Sequence, residues 1–130
     1  MAYGTLQTDV INSSTGLFST QNAYQGIAKA WVNFAGATGT ITGSFNVSSI
    51  TRTSTGYYTV NLTTAMPSTA YAVCANGSPD AATYTTVAMV FSNASEAYVA
   101  PTTSSFVMLF VRLANIAADP VAVTASVFSS

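Results

Sequence analysis

From residue 26 onward, apolar side chains fall mostly two positions apart. In TGYYTVNLTT, Tyr58, Val60 and Leu62 oppose Tyr57, Thr59 and Asn61; in YTTVAMVFS, Val87, Met89 and Phe91 oppose Thr86, Ala88 and Val90. A period of two is the signature of a half-buried strand, and no sustained helical stripe competes with it. The pattern predicts strands at Leu6 to Ile11, Gly26 to Phe34, Gly43 to Thr51, Tyr57 to Thr63, Tyr71 to Asn76, Tyr84 to Ser92, Glu96 to Val99, Ser105 to Leu113 and Val121 to Phe128. Between them lie NSSTG, AGATG, TSTG, MPS, NGSPD, SNAS and AADP, which supply the Gly, Pro, Asn, Asp and Ser that turns use. The short, even spacing predicts an all-β, antiparallel sandwich, jelly-roll-like, over 26–130.

Two segments depart from simple alternation. In SSFVMLFVRL, Phe106, Met108 and Phe110 form one face and Val107, Leu109 and Val111 the other, so both faces need cover. A central strand under a loop satisfies this, and so does a subunit interface; Phe106, Met108 and Phe110 are the candidate interface residues. Residues 1–25 are rich in Ser, Thr, Asn and Gly around isolated apolar anchors. They read as an irregular arm that orders against a partner, with Tyr3, Leu6, Leu17 and Phe18 as candidate anchoring positions.

Composition sharpens the picture. The 130 residues amount to one domain, 49% hydrophobic and 12% aromatic, too apolar for disorder. Only 5% are charged, against about a quarter in an ordinary soluble domain, and the net charge is −1. Lys29, Arg52 and Arg112 are far apart in sequence, so there is no basic patch for nucleic acid. A surface with so little charge is poorly protected against association, and predicts a homo-oligomer or a larger assembly. The opening MAYGTLQTDV has no secretory pattern, and the longest apolar run, FVMLFV, is too short for a bilayer; the expectation is cytoplasmic synthesis without membrane insertion.

Candidate chemistry is sparse. The chain has no histidine, which removes Ser-His-Asp and His-containing zinc arrangements together. Cys74 stands alone in YAVCANG and reads as a small packed strand residue. Of the carboxylates Asp9, Asp80, Glu96 and Asp119, Asp80 and Asp119 sit in turn contexts, SPD and DP, that explain them without catalysis. Four Asn-X-Ser/Thr matches, at Asn46, Asn61, Asn76 and Asn93, are chance in so Asn- and Ser-rich a chain. No catalytic, metal or cofactor residues are assigned. The aromatics Trp31, Tyr57, Tyr58, Tyr84 and Tyr98 suit either packing or sugar stacking, with Tyr57 and Tyr84 the candidate exposed binding positions.

The blocks AKAWVNFAG, SFNVSSIT and TGYYTVNLTTAMPSTAYAV, in that order over 28–73, resemble a recurrent segment of tailed-bacteriophage virion proteins, among them tail fibres and small structural proteins. The resemblance covers about a third of the chain. AGATGTITG stands where an Asn-Gly loop is usual, and TSTGYY lacks an acidic residue after Gly56; both departures lie in turns. It implies a β-rich, trimeric, non-enzymatic virion surface protein, with itself, the major capsid protein and a host surface glycan as possible partners. Capsid decoration and a receptor-binding fibre tip both fit. The absence of heptads or a long shaft in this sequence favours decoration.

Overall fold

The computed structural model describes residues 10–13, 16–19, 26–82, 84–112 and 115–129. Its named elements are all strands: β1 (Val10–Ser13), β2 (Gly16–Ser19), β3 (Ala30–Phe34), β4 (Ile41–Phe45), β5 (Val47–Ser54), β6 (Tyr57–Leu62), β7 (Ala72–Gly77), β8 (Val87–Val90), β9 (Ser105–Arg112), β10 (Ile116–Ala117) and β11 (Val123–Phe128). Every pairing is antiparallel. One sheet runs β4-β3-β11-β7; the other runs β10-β9-β6-β5, with β8 also paired to β9.

Alternation decides which side chains face inward. Ala30, Val32 and Phe34 on β3 and Val123, Ala125 and Val127 on β11 meet Tyr58, Val60 and Leu62 on β6 and Phe106, Met108 and Phe110 on β9 in a single buried cluster. The two sheets therefore pack on one core in a sandwich-like arrangement. Each large side chain fully buried there contributes about 1.5–3 kcal/mol relative to exposure. Tyr58 stands edge-on to Phe34 and Phe110, at centroid distances of 5.1 and 6.0 Å, and Tyr71 does the same with Phe91 and Phe106. The Tyr71 hydroxyl, 2.8 Å from the Thr102 carbonyl, is pushed up to about 12 by burial.

Several sequence expectations change here. Phe106, Met108 and Phe110 are 2%, 0% and 0% exposed within the chain's own core, so they offer no surface to a second copy. On the opposite face of β9, Leu109 and Val111 are also buried, outside the main cluster, while Val107 is half-buried. On β8 the inward face is the reverse of the one expected. Ala88 and Val90 pack on the core while Val87 is 59% exposed, and Phe91 reaches the core because its backbone turns left-handed (φ 58°) and breaks the alternation. Cys74 lies exposed on β7.

The expected strand Gly43 to Thr51 is two strands in different sheets. Asn46 is the corner between them, at φ 55°, with its side-chain nitrogen donating to the Lys29 and Thr64 carbonyls (3.1 Å each) and its oxygen accepting from the Thr64 N–H at 2.7 Å. Asn tolerates left-handed backbone better than most residues, and its short amide ties the bend to both flanking segments. Glu96 to Val99 is a loop, touching the sheet through the bridge Ser92↔Tyr98. Within 1–25, β1 and β2 form a hairpin with Ser13 opposite Gly16. Tyr3 and Leu6 lie outside the described residues. Leu17 and Phe18 are on β2, opposite Asn12 and Ile11.

Candidate functional site

Two features stand out, one defined by missing charge and the other by its concentration. Register places side chains of the four-stranded sheet in rows across its outward face. Phe45, Trp31, Ser126 and Cys74 form one row, and Gly43, Asn33, Thr124 and Asn76 form the next. Across the other sheet, Ser49, Asn61 and Ser105 form a row, beside Thr51, Thr59 and Val107. None of these residues is charged. Trp31 is 43% and Phe45 55% exposed, side by side on neighbouring strands. Phe45 also borders a groove of about 340 Å³ with Ile27, Ala65, Met66 and Pro67, where the chain passes the Asn46 corner and Lys29 brings a charge to the edge of this face. Exposed aromatics and a lack of charged side chains are two compositional features that interface cores share.

Charge gathers instead at one end of the sandwich. Asp80, Arg112 and Asp119 line a cleft of about 290 Å³ together with Thr55, and Arg52 stands beside it, bonded to Thr55 and Asp119. Asp119 accepts from Arg52 Nε (3.1 Å) and Nη2, from the Gly56 N–H (2.8 Å) and from the Tyr58 hydroxyl (2.7 Å). Burial raises the Asp119 carboxyl, but Arg52, Gly56 and Tyr58 together outweigh it and hold the group below its ordinary value. The same contact raises Arg52, and burial followed by the hydrogen bond to Asp119 pushes the Tyr58 hydroxyl upward. Gly56 makes this possible: at φ 70° it favours no side chain, and a Cβ there would lie 2.4 Å from the Phe110 carbonyl oxygen.

The second pair is looser. Asp80 Oδ1 accepts from the Ala82 and Tyr84 N–H groups at 3.0 Å, the turn role expected of it. Its Oδ2 meets Arg112 Nη1 at 3.4 Å, and the guanidinium lies 4.7 Å from the centre of the Tyr84 ring. Asp119 is thus more than the turn residue its DP context implied. Residues 52, 56, 58 and 119 carry no spacing signal that could have joined them; only the sheet register does.

Of the candidate binding aromatics, Tyr84 is exposed with Arg112 over its ring, while Tyr57 is half-buried on β6 opposite Leu109. Tyr98 is exposed, and Tyr58 belongs to the core. Of the asparagines in the four chance sequence matches, Asn46 is the corner residue described above, Asn61 donates to Ser49 and Thr51, Asn76 accepts from the Gly77 N–H, and Asn93 accepts from the Ser95 and Ala97 N–H groups. Among the described residues, no group of three His, Cys, Asp or Glu could hold a metal ion, and no helix is long and apolar enough to cross a membrane. Compared with known proteins, the chain matches no family model, no curated protein and no solved structure.

Proposed function

We propose that this chain is a non-enzymatic structural protein of a bacteriophage virion, a jelly-roll-like sandwich that assembles as a homotrimer and decorates and cements the capsid. The observation that carries the reading is the uncharged outward face of the four-stranded sheet, with Trp31 and Phe45 exposed at one side. Packing Ser, Thr and Asn against a neighbouring copy or a shell costs far less desolvation than packing Lys or Glu, so such faces suit permanent contact. The trimer and the particle come from the resemblance of residues 28–73, and the major capsid protein is the partner they imply.

Quantitative mass spectrometry of purified particles tests the reading. Copies in the hundreds are the expected result for a protein repeated over a symmetric shell. A few to a few dozen copies would move the chain to the tail as a fibre or fibre tip, a role for which the exposed Tyr84 and Tyr98 would serve. Absence from the particle would end both.

A further inference from the structure

We propose that Asn76–Gly77 is a site of spontaneous deamidation, where a neutral position on the outward face of the four-stranded sheet becomes a carboxylate. The chemistry goes beyond the structural role proposed above and does not depend on it.

Asn76 is the one asparagine of the chain followed by glycine. It is exposed near the end of β7, an edge strand whose sheet neighbour is β11. The Ser78 N–H donates to the Ala122 carbonyl at 2.9 Å, so the backbone groups of Ser78 and, two residues earlier, of Asn76 face β11, while those of Gly77 face away from it. The Gly77 N–H is therefore outside that ladder, and donates instead to the Asn76 side-chain Oδ1 at 2.9 Å. Cγ is one C=O bond, about 1.2 Å, beyond that oxygen. The nitrogen and the carbon it must attack are thus held within about 4 Å, near the 3–3.5 Å at which oriented groups react. A hollow of about 240 Å³, lined by Asn76, Gly77, Ser78, Ala122 and Thr124, gives water access to both. Packing keeps the glycine in place: a Cβ at position 77 would lie 2.7 Å from Phe110 Cε1 and 2.8 Å from Pro120 Cγ.

Hydroxide takes the Gly77 amide proton, the nitrogen bonds to Asn76 Cγ, and the Cγ–Nδ2 bond breaks, its nitrogen leaving with a proton from water as ammonia. Water then opens the resulting cyclic imide at either carbonyl. The net change is amide plus water to acid plus ammonia, with no oxidant or reductant. Opening at Cγ gives aspartate and leaves the path of β7 unchanged. Opening at the main-chain carbonyl gives isoaspartate, which routes the chain through Cβ and Cγ and displaces Ser78 from Ala122. Either product puts a carboxylate, ionised above about pH 4, in the row of Gly43, Asn33 and Thr124, none of which is charged. Burying that carboxylate against a neighbour carries a desolvation cost that the amide does not. On the contact face proposed above, converted chains are the weaker partners.

The test is peptide mapping by mass spectrometry of the folded full chain held at mildly alkaline pH, which follows the amide-to-acid mass change at each asparagine, beside a free peptide of residues 73–80. Asn76 is expected to convert at least about tenfold faster than Asn33 or Asn61, whose next residues are the bulky Phe34 and Leu62, and within about a hundredfold of the free peptide. The rate should rise with hydroxide concentration. Asn76→Gln, which must close a larger ring, is expected to abolish conversion at that position with Gly77 untouched. Conversion no faster than at Asn33 and Asn61, slower than the peptide by more than about a hundredfold, or undiminished in Asn76→Gln would each overturn the assignment. Asn76→Asp, the mimic of one product, should shift the chain toward monomer in sedimentation equilibrium. Unchanged association would count against the contact face proposed above and not against the conversion, which the mapping decides by itself.

Discussion

Asn46 and Asp119 show how much one side chain does in a chain with so few charges. Asn46→Ala removes three amide contacts at a left-handed corner, and is expected to cost about 1–3 kcal/mol of unfolding free energy by denaturant titration. Asp119 sets an acid limit. A carboxyl held below its ordinary value contributes stability that is fully present above the unfolded value, about pH 4, and lost as pH falls through the lower folded value. Unfolding free energy should therefore drop across that acid range. Asp119→Asn should flatten its own share of the drop while costing about 1–3 kcal/mol at neutral pH, because Arg52 is left without its partner. A fall of the same depth in the variant would show that other carboxylates set the limit.

At the scale of strands, the sequence was most legible where alternation ran unbroken. β3, β6, β9 and β11 lie where expected, because each presents a regular inward set to one core. Legibility failed at two kinds of place. Single left-handed residues, Asn46 and Phe91, switch sheet or face without changing the local hydrophobic count, so neither the split between β4 and β5 nor the true face of β8 is visible in the pattern. β9 is apolar on both faces because one lies in the core and Leu109 and Val111 on the other are buried within the same chain; a period-two run cannot say whose atoms provide the cover. The β8 face is directly testable. Val87→Lys is expected to change stability by less than about 0.5 kcal/mol, and Val90→Lys to cost several times more, in parallel thermal or denaturant melts. The opposite order would restore the face that alternation alone suggests.

For the whole molecule, the all-β antiparallel class was readable and the sites were not. Composition anticipated a surface short of charge, yet only register showed that the paired outward rows of both sheets carry none and that Trp31 and Phe45 meet on one of them. The charged cleft was invisible for the opposite reason: Arg52, Asp80, Arg112 and Asp119 are brought together by the sheets and their connections, from segments up to 67 residues apart. If the uncharged face is a contact surface, Trp31→Glu with Phe45→Glu should shift the chain toward monomer in sedimentation equilibrium and reduce its incorporation into particles, with the monomer fold intact, since both side chains already face outward. The most direct measurement is an electron cryo-microscopy map of the intact particle with this chain located by fitting or labelling. Density repeated over the icosahedral shell at symmetry positions, with the Trp31 and Phe45 face against a neighbouring copy or the shell, is the predicted result. Density confined to the tail, or that face turned outward to solvent, would contradict it.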